Sequence, residues 1–164
     1  MNDCLLVMDI QNGYITDETR HIVKPVSDLI DSGKFRYVAA SQAINITRAI
    51  MGNESSEGKK AIDFPDGMPT DRFDIIIHKN DIAELTAGFA KFARAKGISR
   101  VYLAGIDAGN CLMAVTINLL GNKICPYVLE NYCASIDGSG SYQAGIRALK
   151  AILGEKGVIR GCLR

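Results

Sequence analysis

Histidine is nearly absent from this chain of 164 residues, with His21 and His78 its only two. There is no Cys-x-x-Cys pair and no Cys/His cluster either. A structural zinc site is therefore not expected. Long apolar runs are also missing. None approaches the roughly 20 residues needed to cross a bilayer. Net charge is close to nil, at +1, which argues against a surface built to coat nucleic acid or anionic lipid. The first residues, "MNDCLLVMDIQNGY", lack the basic stretch and the small-residue cleavage site of a signal peptide. The five cysteines, Cys4, Cys111, Cys125, Cys133 and Cys162, are odd in number and scattered. They read as reduced thiols in a cytoplasm, not as a disulfide framework. "GSGSYQAG" (138–145) lacks G-x-G-x-x-G spacing, so it reads as a flexible loop before a helix rather than a dinucleotide site. No linker and no internal repeat interrupts the chain. The expectation is one domain over residues 1–164, with no cofactor and no metal.

What is present is a regular alternation. Five short apolar runs, often β-branched, read as strands buried on both faces: "CLLVMD" (4–9), "RYVAAS" (36–41), "FDIIIH" (73–78), "RVYLAG" (100–105) and "KICPYVLE" (123–130). Pro126 weakens the start of the last, which should begin later or lie nearer an edge. Between them lie helical spacings. Val26, Leu29 and Ile30 share a face in 24–33, as do Leu85, Phe89, Phe92 and Ala93 in 85–97. Gly97 stops the second. Further helices are read over 111–121 and 141–157. Strands alternating with helices predict an α/β fold: a three-layer, Rossmann-like open parallel sheet with helices on both faces. Residues 52–60 read as a polar surface loop, and the irregular stretch 61–72, with Pro65 and Pro69, as a cover for the site.

In such sheets ligands bind beyond the carboxyl ends of the strands. Asp9, Gln11 and Tyr14 follow the first strand. Lys79 follows the third, and the loop "IDAGN" leads from the fourth to Cys111. Alone, each has a bland reading: a turn cap, a solvated charge, a small buried thiol. Topology sends all three to one edge. A thiol needs to become a thiolate to attack, and both a helix N-terminus and a nearby cation lower its pKa. Asp9 is placed to take the thiol proton and return it to a leaving group. Backbone N–H groups of Asp107 and Cys111, in the turn, are placed to hold an oxyanion. His78 and the other cysteines read as structural.

The segments "LLVMDIQNGYI", "IIIHKND" and "VYLAGIDAGNCLMAVTINLLG…YVLENYCAS" resemble the three signature segments of the isochorismatase-like cysteine hydrolases, across roughly residues 3–160. That resemblance implies a catalytic triad of Asp9, Lys79 and Cys111. It implies a cis peptide bond at Ile106–Asp107, which in the family aims backbone N–H groups at the substrate oxygen. Substrate contacts are expected from Gln11, from Tyr14, which matches a pocket-lining aromatic, and from Asn110. The expected reaction is thiol-dependent hydrolysis of a small amide, ureido or related acyl substrate through a thioester on Cys111. The expected partner is that small molecule, with no nucleic acid and no membrane, and the expected assembly a homodimer or higher homo-oligomer.

The chain also departs from the family pattern. The usual Thr-Asp before the cysteine is replaced, the loop reading Ala108, Gly109, Asn110. Metal-binding nicotinamidases carry D-x-H after the second strand, and here those places hold Ala43 and Asn45. Siderophore-pathway isochorismatases typically carry glycine at the cysteine's place. Two other readings stand beside the hydrolase: a binding or assembly protein with little activity, and a phosphatase with Asp9 as nucleophile. The latter wants D-x-D where this chain has Asp9 and Gln11.

Overall fold

The computed structural model describes residues 2–44 and 61–161, apart from the side chains of Ile82 and Ala83. Its strands are β1 (Asp3–Met8), β2 (Tyr37–Ala43), β3 (Ile75–Lys79), β4 (Arg100–Ile106), β5 (Cys125–Ala134) and β6 (Val158–Ile159). They form one sheet in the order β3-β2-β1-β4-β5-β6. Every pairing is parallel. The order reverses between β1 and β4, and at such a switch point open α/β sheets leave a crevice. Among the described residues the four longer helices are α1 (Val23–Asp31), α2 (Ile82–Lys96), α3 (Cys111–Gly121) and α4 (Gly138–Leu153).

β1 shows why the sheet is covered twice. Cys4, Leu6 and Met8 join one apolar cluster with Leu85 and Phe89 of α2, Leu112 and Leu119 of α3, and Ile146 and Leu149 of α4. Leu5 and Val7 point the other way, into a cluster with Val26, Leu29 and Ile30 of α1 and with Met68. Side chains alternate across a strand, so a run with no polar interruption must be buried on both faces. Full burial of one such side chain stabilises by about 1.5–3 kcal/mol. The edge strand β3 departs from this pattern. Ile77 and Lys79 are buried, while Ile76 and His78 are exposed.

Local signals set the element ends. α2 begins at Ile82, three residues before the apolar periodicity starts, because the Asp81 carboxylate accepts the Glu84 N–H at 2.8 Å. The Glu84 carboxylate in turn accepts the Asn80 N–H at 2.6 Å. This reciprocal capping is legible as D-x-x-E. Gly97 closes the helix in the left-handed region at φ 64°, where Lys or Ala would be strained. α4 likewise starts earlier than the periodicity, at Gly138, and stops at Leu153 before Gly154. β5 starts at Cys125, with Pro126 already in register with Val101. Proline is accommodated because β6 pairs only with Val128 and Leu129, leaving the Pro126 end open on that side. β6, two residues long, carries no periodic signal in the sequence. The predicted loop at 52–60 and Cys162 lie outside the described residues. Cys4 and Cys133 are packed thiols as read, whereas Cys125 is exposed, since it opens a strand rather than sitting inside one.

Candidate active site

The switch point between β1 and β4 holds the three residues singled out by chemistry. Asp9 follows β1 directly and takes a left-handed backbone at φ 53°. Its N–H reaches both the backbone oxygen and the hydroxyl of Ser41, each at 3.3 Å. Ser41 is set beside it because Met8 and Ser41 are register partners. The Ser41 hydroxyl donates to Asp9 Oδ1 at 2.6 Å. Lys79, last in β3, extends past β2 and places its Nζ 2.5 Å from Asp9 Oδ2. Asp9 is 1% exposed and Lys79 3%. A carboxylate and an ammonium this deep are tolerable only as a pair with further hydrogen bonds, and Ser41 supplies one.

Cys111, the first residue of α3, brings its half-buried thiol to the same place, where it feels the charges of Asp9 and Lys79. Gly105 makes the approach possible. It sits at φ 130°, and a methyl group there would lie 2.1 Å from the Met8 carbonyl oxygen. No other residue lets β4 run so close to the end of β1. The thiol pKa is raised, first by burial, then by the negative charge of Asp9. Lys79 and a backbone hydrogen bond from Asp107 pull it down but do not prevail. The sequence alone predicts a lowered thiol pKa from the helix terminus and the lysine. Burial and the adjacent carboxylate overturn that, so the resting thiol keeps its proton.

The loop between β4 and α3 is tied at every step. The Ile106–Asp107 peptide bond is cis, at the place the resemblance implies. The Ala108 N–H donates to Ala134 O at 3.0 Å, and the N–H groups of Asn110 and Leu112 donate to Asp107 O at 3.2 and 3.0 Å. The Asp107 carboxylate accepts the Gly109 N–H at 3.1 Å and the hydroxyl of Ser135. Against the other side of the loop lies α4, whose Gly145 leaves no room for a methyl. A Cβ there would be 2.6 Å from the Ala108 carbonyl carbon and from the Gly109 nitrogen.

The expected substrate contacts separate. Gln11 is fully buried, and both ends of its amide are spent on Ala43: Nε2 donates to the Ala43 oxygen at 3.1 Å, and Oε1 accepts the Ala43 N–H at 2.6 Å. It clamps the β1 loop to the end of β2. Tyr14 is half-buried and packs against the cluster on the α1 side of the sheet. Asn110 is exposed at the N-terminus of α3 and makes no side-chain cap. The stretch read as a cover touches the same loop: Asp63 O accepts the Asn12 N–H at 2.9 Å, and Ile62 O accepts Gln42 Nε2 at 2.7 Å. Ser41, Ser135 and the Asp107 side chain were not singled out from the sequence. Ser41 carries the same signal as Asp9, a polar residue near the carboxyl end of an apolar strand. The two others become visible only once β5 is seen to pass beside the loop.

A cavity of about 360 Å³ is lined by Glu18, His21, Glu130, Cys133, Ser135 and Tyr142 among others. Burial pushes the Cys133 thiol there up to about 12. The D-x-H metal ligands that the resemblance would place after the second strand are not found here. Ala43 offers only a methyl at the acid's place. Among the described residues no group of three His, Cys, Asp or Glu side chains converges. Asn45 lies outside them.

Comparison with known proteins agrees with this geometry. No curated protein matches the sequence. Among solved structures, an isochorismatase-like hydrolase from Alkaliphilus metalliredigens superposes with a TM-score of 0.80 at 15% identity, over 98% of this chain and 95% of that one. The nicotinamidase of Staphylococcus aureus gives 0.78 at 14%, over 99% of both chains. The N-carbamoylsarcosine amidase of Thermoplasma acidophilum gives 0.74 at 20%, over 98% and 95%. At such identities the likeness speaks for the fold. The family itself is fixed by sequence: the isochorismatase-domain family model matches residues 3–156, from the first strand to the turn before β6. That match, along nearly the full length of an all-parallel sheet of order 3-2-1-4-5-6, makes the chain a member of the isochorismatase family of hydrolases.

Proposed function

We propose that this protein hydrolyses a small carboxamide or ureido compound through a covalent thioester on Cys111. The observation that carries the reading is the single buried cluster in which Asp9 accepts Lys79 on one oxygen and faces the Cys111 thiol. The amidases and nicotinamidases among the superposed structures support the choice of a C–N bond.

The raised thiol pKa decides how the first step runs. A thiol that keeps its proton at rest does not wait as a thiolate. Asp9 takes the proton as the sulfur attacks the carbonyl carbon, which makes Asp9 a general base in the attacking step. Lys79 holds the carboxylate oriented and its charge compensated. The oxygen of the carbonyl becomes an oxyanion, received by the N–H groups of Asp107 and Cys111. When the intermediate collapses, the C–N bond breaks and Asp9 gives its proton to the departing nitrogen, releasing ammonia or an amine. Water then attacks the thioester. Asp9 takes its proton and passes it to the sulfur as the acid leaves. The sum is amide plus water to acid plus amine, with enzyme restored.

A phosphatase using Asp9 as nucleophile leaves the thiol beside that carboxylate without a role, and the chain has Gln11 where that chemistry wants a second acid. Gln11 serves the site by clamping Ala43, while Tyr14 and Asn110 remain the proposed pocket contacts. The test is ammonia release from a panel of small amides and ureides. Turnover by the intact protein and none by Cys111→Ala is expected. Turnover that survives Cys111→Ala refutes the reading.

A further inference from the structure

The loop that carries the proposed oxyanion donors lacks the family's Thr-Asp, yet one side chain ties it twice. Asp107 is 6% exposed. Its Oδ1 accepts the Gly109 N–H two residues ahead and the Ser135 hydroxyl from the end of β5. The same residue's carbonyl oxygen takes the Asn110 and Leu112 N–H groups at the entry to α3, the helix that Cys111 opens. One residue thus faces both ways. Its backbone holds the entry to α3, while its carboxylate meets Ser135, which lines the cavity.

We propose that the Asp107 carboxylate is a positioning residue. Tied to Ser135 and to the Gly109 N–H, it is the brace that fixes the direction of the Asp107 and Cys111 N–H groups toward the reacting carbonyl oxygen. This rests on the amide-hydrolase reading and adds a residue to it. The brace is geometric. Each bond it makes ends on Oδ1 as an acceptor, so a neutral side chain with the same carbonyl oxygen serves nearly as well. Gly145 fits the same design: with no Cβ there, α4 meets the loop backbone to backbone at Ala108 and Gly109.

A direct consequence concerns which kinetic constant changes. Misdirected oxyanion donors weaken the transition state and leave ground-state binding alone, so kcat falls and KM stays. Loss of one well-aimed donor typically costs about 10²-fold or more in kcat. The thiol's own reactivity toward an alkylator uses no oxyanion donor.

The experiment compares Asp107→Ala, Asp107→Asn and Ser135→Ala on the best amide of the panel, together with iodoacetamide labelling of Cys111 and hydrogen exchange of residues 105–112. Expected for Asp107→Ala is a kcat about 10²-fold lower with KM within threefold, labelling within threefold of the parent, and faster exchange in the loop. Asp107→Asn should keep kcat within about fivefold. Ser135→Ala, which removes one tie and leaves the loop sequence untouched, should lose about tenfold; it tests the brace should Asp107→Ala fail to fold. The proposal is overturned if Asp107→Ala keeps kcat within threefold, if Asp107→Asn falls as far as Asp107→Ala, or if Ser135→Ala matches the parent in both kcat and exchange. Turnover by the parent that survives Cys111→Ala instead refutes the hydrolase reading itself, so the two failures are told apart by which variant is silent.

Discussion

Replacing Lys79 with methionine tests the physics of the buried cluster before any substrate is known. Methionine matches the aliphatic stem of lysine and fills similar volume, so the substitution mainly removes the ammonium. What it leaves is the Asp9 carboxylate, 1% exposed, with the Ser41 hydroxyl as its remaining side-chain hydrogen-bond donor. Breaking a buried pair by deleting one partner destabilises by about 3–5 kcal/mol, because the remaining charge has lost its counter-charge and its access to water. That is a large share of the roughly 5–15 kcal/mol by which a domain is stable. For a chain of this size each kcal/mol moves Tm by about 2–4 °C, so Lys79→Met should melt roughly 6–20 °C lower. The companion variant Asp9→Asn with Lys79→Met removes both charges and keeps a side chain that bonds Ser41. It should regain most of the lost stability while staying inactive. Urea unfolding monitored by circular dichroism gives the free energies. A Lys79→Met protein within about 1 kcal/mol of the parent, or a double variant that falls by the sum of the two singles, refutes the claim that the pair is buried and mutually compensated.

Three further outcomes follow from the same geometry. Gly105→Ala should cost about 3 kcal/mol or more in urea unfolding, since the methyl meets the Met8 carbonyl at 2.1 Å and the backbone stands at φ 130°; a loss under 1 kcal/mol contradicts the close approach. The pH at which Cys111 begins to react with iodoacetamide should lie above that of an ordinary free thiol, because burial and Asp9 raise its pKa; Asp9→Asn removes the second cause and should shift the profile toward acid, whereas Lys79→Met should shift it toward base. An acid-shifted profile in the parent would show that the helix terminus and lysine win after all. Asp81→Ala should lose about 1 kcal/mol by removing the cap on the Glu84 N–H, checked by thermal melting, with no effect on KM.

The parts of this protein that were legible in its sequence are those encoded by unbroken local patterns. "LLVM" has no polar residue, so β1 must be buried on both faces, and Asp9 after it must stand at a strand's carboxyl end. The topological rule then brings Asp9, Lys79 and the Cys111 loop to one edge without knowledge of any distance. What stayed hidden depends on neighbours distant in sequence. The Asp107 carboxylate meets Ser135 from 28 positions away, and nothing in "GIDAGNC" announces that tie. Gln11 was read as a substrate contact from the resemblance, but its amide closes a two-bond clamp on Ala43, 32 positions on. The thiol pKa was misread for a related reason. Helix position and a cation are visible in sequence, while the burial that outweighs them is a property of the folded core. Elements without periodicity were missed as well: β6 is two residues long, and the starts of α2 and α4 rest on caps and glycines rather than on apolar spacing.

The central claim is that Cys111 carries the acyl group of an amide substrate, delivered with Asp9 as base. The most direct measurement is intact-protein mass spectrometry after rapid acid quench, with the amide panel, on the parent and on Asp9→Asn. The account predicts a mass increase equal to the acyl group, mapped to Cys111 by peptide fragmentation, appearing before ammonia release reaches its steady rate and absent in Asp9→Asn. Ammonia released at full rate with no adduct on Cys111 at any quench time, by a protein that also turns over as Cys111→Ala, would contradict it.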